Sequence, residues 1–177
     1  MSDEVDDDPY FDEPRHQRSF DSKLLREPLE ALPVRPAIVM APGASATEAM
    51  RAMQREHRGC VLVTDDGSSS SKLVGIFTER DVLLRIVDRG KNPATLPLSE
   101  VMTPDPDVLS VKSRLANALN KMHVGGFRHV PVVDAEHRPV CVVAVRDIVE
   151  FLVEAFPREI LNVPAEPGAL PKEREGA

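Results

Sequence analysis

Thr78 and Asp81 stand three residues apart, where the apolar run ending Gly75-Ile76-Phe77 gives way to the helical spacing of Val82, Leu83, Ile86 and Val87. A hydroxyl and a carboxylate at that junction lie beside backbone N–H groups that have no intrahelical partner. The N–H groups face an anion and the carboxylate accepts from hydroxyls, so the combination suits a phosphate and a sugar. The same pair is also a helix-capping pattern, with Thr as N-cap and an acid in the first turn. The spacing leaves both roles open, and one pair can serve both.

The junction occurs twice. Asp147 follows Asp81 at an offset of 66, and Ile148, Val149, Leu152 and Val153 repeat Val82, Leu83, Ile86 and Val87 place for place. The second copy departs at two positions, with Ala144 in place of Thr78 and Cys141 in place of Gly75. A hydroxyl is lost there, and a side chain crowds the backbone. The expectation is a working site at Asp81 and a weak or empty one at Asp147.

The elements that position these residues repeat as well. Ala37-Ile38-Val39-Met40 reads as a short strand, and Ser45-x-x-Glu48 has the form of a capping box. Ala46, Ala49, Met50 and Met53 then give the stripe of a half-buried helix. Cys60 to Thr64 is an unbroken apolar and β-branched run, as in a strand covered on both faces. Leu73 to Phe77 is the next strand, and the helix from Asp81 runs to about Asp88, with Gly90 at its C-terminal cap. Val108-Leu109-Ser110 repeats Ile38-Val39-Met40, and at an offset of 69 Leu115, Ala118, Leu119 and Met122, then His129 to Val133, repeat the next two elements. Two copies of strand–helix–strand–strand–helix imply an α/β (α+β) fold in two units, 34–92 and 98–155. Each copy is too small to be stable alone, so the pair should share a core.

Leu24, Leu25, Leu29 and Leu32 predict a short helix over 21–33 that docks on the body. Residues 1–20 and 157–177 read as disordered tails. The N-terminal tail is acidic: residues 1–13 hold seven of the 29 acids and no base, which leaves 22 acids against 22 bases in the remainder. A near-neutral body argues against general nucleic-acid binding. The longest apolar stretch, Val140 to Val145, is too short to cross a bilayer. Cys60 and Cys141 both fall in apolar runs and read as core thiols, and the N-terminus is acidic, so the expectation is a cytoplasmic protein. No catalytic triad, metal spacing or carboxylate pair stands out, and His16, His57, His123, His129 and His137 are scattered. That argues against an enzyme.

The chain resembles a tandem pair of CBS domains, or Bateman module, of the stand-alone class. The motifs are Gly75-Ile76-Phe77-Thr78-Glu79-Arg80-Asp81 in one copy. In the other they are Val101-Met102-Thr103-Pro104, Gly126 to Asp134, and Val145-Arg146-Asp147. The resemblance implies two repeats packed by pseudo-twofold symmetry around two clefts, often a homodimer, and often an adenine nucleotide (AMP, ADP or ATP) or a related adenosyl ligand. It implies that Asp81 accepts from ribose hydroxyls, that Thr78 adds a hydroxyl contact, and that Ile76 faces adenine. Val130 and Pro131 would form the apolar side of the slot. Arg128, with His129 beside it, would meet phosphate, and Asp147 would be the equivalent acid of the second cleft. The function implied is regulatory sensing of an adenine nucleotide, signalled to an unidentified protein partner. The alternative is a ligand-free scaffold for dimerisation or protein interaction.

Overall fold

The computed structural model describes residues 22–157 and residue 160. The expected tails, 1–20 and most of 157–177, lie outside them.

Each repeat builds a small sheet backed by helices. In the first, β1 (Val39–Met40) pairs parallel with β2 (Cys60–Thr64), which pairs antiparallel with β3 (Leu73–Thr78). Between them α1 (Ala46–Arg55) starts at the expected capping box: Ser45 N–H donates to Glu48 Oε2 at 2.8 Å, and Glu48 N–H donates to Ser45 Oγ at 3.2 Å. After β3 comes α2 (Glu79–Asp81), continued by a π-helical stretch, Val82–Val87. Its wider turns show in the i→i+5 bond from Asp88 N–H to Leu83 O at 2.9 Å. After α3 (Leu98–Val101) and β4 (Thr103–Pro104), the second repeat follows with β5 (Leu109–Ser110), α4 (Leu115–Gly125), β6 (His129–Val133), β7 (Pro139–Ala144) and α5 (Val145–Ala155).

The pleat explains why β2 is apolar throughout. Val61 and Val63 point to the helices, where they join Phe77, Ala46, Ala49, Met53 and Ile86. Cys60 and Leu62 point the other way, to a core where Leu73 and Ile76 meet Val133 and Val142 of the second repeat. The two sheets therefore cover each other.

The residues that open each repeat pack on the other repeat. Leu29 and Leu32 are buried among Leu115, Ala118, Met122 and Val130 of the second repeat. Leu96, Leu98 and Val101 are buried in the first. The exchange is symmetric. Pro28 bridges Arg114, and Ser45 bridges Pro97, which are the same two positions at an offset of 69. β4 likewise adds a fourth strand to the first sheet, pairing Ile76 with Thr103. The expected single helix over 21–33 is instead two 3₁₀ turns, Leu24–Arg26 and Leu29–Ala31. Pro28, which has no N–H to donate, separates them.

Candidate functional site

The β3–α2 corner places Thr78 and Asp81 as a reciprocal cap. Thr78 N–H and Oγ1 donate to Asp81 Oδ2 at 2.8 and 2.7 Å, and Asp81 N–H reaches Thr78 Oγ1 at 3.4 Å. Asp81 is buried, at 7% exposure. Its other oxygen, Oδ1, lies 3.2 Å from Arg85 Nε and 3.4 Å from Thr103 Oγ1. The capping role is thus formed, and the carboxylate still borders open space.

That space is a cleft of about 420 Å³ between the repeats. It brings together Ile76, Thr78 and Asp81 of the first repeat with Arg128, His129 and Pro131 of the second. The volume lies within the range of roughly 300–1,000 Å³ usual for small-molecule sites. Val130 is not part of it. Val130 is fully buried in the second core, because neighbouring side chains of β6 alternate and the cleft face carries His129 and Pro131. Glu79, Arg85, Thr103 and Phe127 also line the cleft, and the sequence reading did not single them out.

Asp147 belongs to a separate, smaller cleft of about 90 Å³ with Val142, Ala144, Arg35 and Arg58. Ala144 N–H donates to Asp147 Oδ2 at 2.7 Å, so the backbone half of the cap survives without the hydroxyl. Arg58 is turned to the Pro36 carbonyl, Nη2 to O at 3.1 Å.

His129 borders both clefts. Its ring lies against the backbone of Gly59, where an added Cβ would come within 2.7 Å of Cε1 and Nε2. Burial lowers the imidazole pKa below its usual 6.5, with Arg128 pushing the same way and Glu79 and Asp147 opposing. Burial also pushes the Cys60 thiol up to about 12 and the Cys141 thiol up to about 11, so both stay protonated and neither is an activated nucleophile. Among the described residues there is no cluster of His, Cys, Asp and Glu that could hold a metal. None of their helices is long and apolar enough to cross a membrane.

Gly75 has a different reason from the one the sequence suggested. A Cβ there would fall 2.3 Å from Met102 Sδ, so the glycine seats the methionine at the end of α3 and does not line the cleft.

Two sheets that bury one face against each other, with a capped strand-to-helix corner at each of two clefts, define a paired-repeat module. The CBS domain family model matches residues 29–88 and 98–154, and the chain belongs to that family. It is 35% identical over 122 residues to the CBS domain-containing protein CBSCBSPB2 of Arabidopsis thaliana, covering 69% of this chain and 22% of that one. The chain thus spans only about a fifth of that relative. Among solved structures, it resembles the CBS domain protein PAE2072 from Pyrobaculum aerophilum complexed with AMP. That match has a TM-score of 0.62 and 24% identity over 72% of this chain and 96% of that one. It also resembles the CBS domain pair of protein MJ0100 in complex with 5-methylthioadenosine and S-adenosyl-L-methionine, with a TM-score of 0.60 and 24% identity over 70% and 96% of the two chains. At these identities the likeness is one of fold.

Proposed function

We propose that this chain is a regulatory module that senses an adenine nucleotide or related adenosyl ligand in the Asp81 cleft. The carrying observation is one cleft of about 420 Å³ that gathers a buried carboxylate, a hydroxyl, an apolar floor and an arginine from two different repeats. Ile76 and Pro131 present an apolar slot to a base. Asp81 and Thr78 meet the ribose. Arg128 is placed for phosphate, since a guanidinium makes two charge-assisted bonds to it. His129 lies beside it. AMP in the Pyrobaculum protein and adenosyl compounds in the MJ0100 pair support the ligand class.

Because the site is made from both repeats, a ligand favours the packing of the pair that fits it, and a protein partner reads the change by differential affinity. We assign the module to a homodimer in the cytoplasm. The exposed apolar side chains Leu83 and Val87, with Val145 and Val149 at the start of α5, are the surface for the second copy.

Calorimetric titration with AMP, ADP and ATP tests the reading. Micromolar binding that Asp81→Ala abolishes is the expected result. A nucleotide-free protein that gives no heat with any of them would leave Thr78 and Asp81 as a helix cap, and the module as a scaffold.

A further inference from the structure

Both oxygens of Asp81 are already engaged by the protein. A carboxylate offers roughly four lone-pair sites. Thr78 fills the two on Oδ2 with its N–H and its hydroxyl, at 2.8 and 2.7 Å. On Oδ1 the Thr103 hydroxyl donates at 3.4 Å, and Arg85 Nε stands 3.2 Å away as an ion pair. The Oδ2 pair is short and belongs to the helix cap. The Oδ1 pair is long, and it is the pair an incoming diol can displace.

Arg85 does more than face Asp81. Its Nη1 donates to the carbonyl of Val101 at 3.2 Å and to the carbonyl of Met102, and its Nη2 donates to Thr103 Oγ1 at 3.0 Å. These acceptors are the end of α3 and the first residue of β4. Carbonyls at a helix end have no intrahelical partner, so the guanidinium satisfies them. One side chain therefore links the ligand carboxylate to the segment that joins the repeats. The second repeat has no such link: Phe151 stands where Arg85 does, and Val34 where Thr103 does. Phe151 packs on the second core.

We propose that Arg85 is a positioning residue that reports occupancy of the Asp81 cleft to the joining segment 101–103. The proposal rests on the nucleotide reading above. A ribose diol takes Oδ1, Arg85 loses its ion-pair partner, and the hold on Val101, Met102 and Thr103 loosens. In the empty protein the same contact competes with the ligand.

Hydrogen exchange read by mass spectrometry on the full chain, paired with calorimetry, tests this. The probes are adenosine, which carries no phosphate to sense the lost charge, and AMP. In wild type, either probe should speed exchange of the amides of Met102 and Asp105, which bond to Leu98 O and Val74 O. Arg85→Ala should exchange there about tenfold faster without ligand, and adenosine should add nothing further. Its affinity for adenosine should rise about tenfold, the effect of removing one charge-assisted competitor. Thr103→Val, a milder change, should raise the affinity by a smaller factor. Weaker adenosine binding by Arg85→Ala, or wild-type exchange at Met102 and Asp105 that the probes slow or leave unchanged, would overturn the proposal while leaving the nucleotide site standing. If neither probe gives heat with wild type, the nucleotide reading fails and takes the sensing role with it. The ligand-free comparison then reports only a structural clamp.

Discussion

The two clefts are built on the same strand-to-helix corner and differ in what surrounds it. Both corners bury an aspartate, Asp81 at 7% and Asp147 at 3% exposure, and in both it accepts the backbone N–H three residues back. The first cleft adds the Thr78 hydroxyl, Arg85 and Thr103, and opens to about 420 Å³. The second has Ala144, Phe151 and Val34 at those positions, and the pocket at Asp147 itself holds about 90 Å³. The shared part is what folding needs, a satisfied helix start. The unshared part is what a ligand needs. An aspartate at this corner is therefore no evidence of a site until its neighbours are known.

The largest expected effect separates the two acids directly. Asp81→Ala should weaken AMP binding by ~100-fold or more, the loss of two charge-assisted hydrogen bonds, while Asp147→Ala changes it by less than about twofold. Equal losses in a calorimetric comparison would erase the distinction between the clefts. Next is Arg128→Ala, which should raise the Kd for AMP by ~10-fold and leave adenosine alone. A loss shared by adenosine would move Arg128 from phosphate to the nucleoside. Ala144→Thr should complete the second cap and stabilise the chain by ~0.5–1 kcal/mol, read as a higher Tm, without adding a second AMP to the stoichiometry. A second equivalent of AMP would mean that the missing hydroxyl, not the volume, limits binding at that cleft.

The smallest effect concerns His129, which borders both. Its pKa is lowered in the fold, so the unfolded chain takes up the proton first as pH falls. Stability is at its full value above the usual imidazole pKa of 6.5 and declines as pH drops below it toward the folded value. His129→Gln should flatten that slope in denaturant titrations at a series of pH values. An unchanged slope would assign the acid sensitivity to another group.

The repeat, the strands and the capped helices were legible in the sequence because each rests on local spacing. The Ser45–Glu48 box and the Thr78–Asp81 cap each join residues only three apart in the chain, and both formed. Val130 was misplaced because a residue run does not say which face of β6 meets the cleft, whereas the pleat admits Pro131 and excludes its neighbour. Arg85 left a signal that was not used: it lies four residues after Asp81, the spacing of a helical ion pair, and its counterpart Phe151 cannot play that part. Gly75 could be read as permissive, but the atom it makes room for, Met102 Sδ, is 27 residues away in the chain. The exchanged opening turns were hidden for a related reason. Repeat boundaries come from sequence similarity, and similarity does not say on which copy a segment packs.

That exchange also sets an order of events during synthesis. Leu96, Leu98 and Val101 must leave the ribosome before the first core can close. Leu29 and Leu32 emerge first and wait for Leu115, which follows Leu32 by 83 residues. At usual translation speeds that wait is on the order of ten seconds. A nascent chain halted between the repeats would hold two uncovered leucines and an open first core. Neither repeat by itself is a complete folding unit.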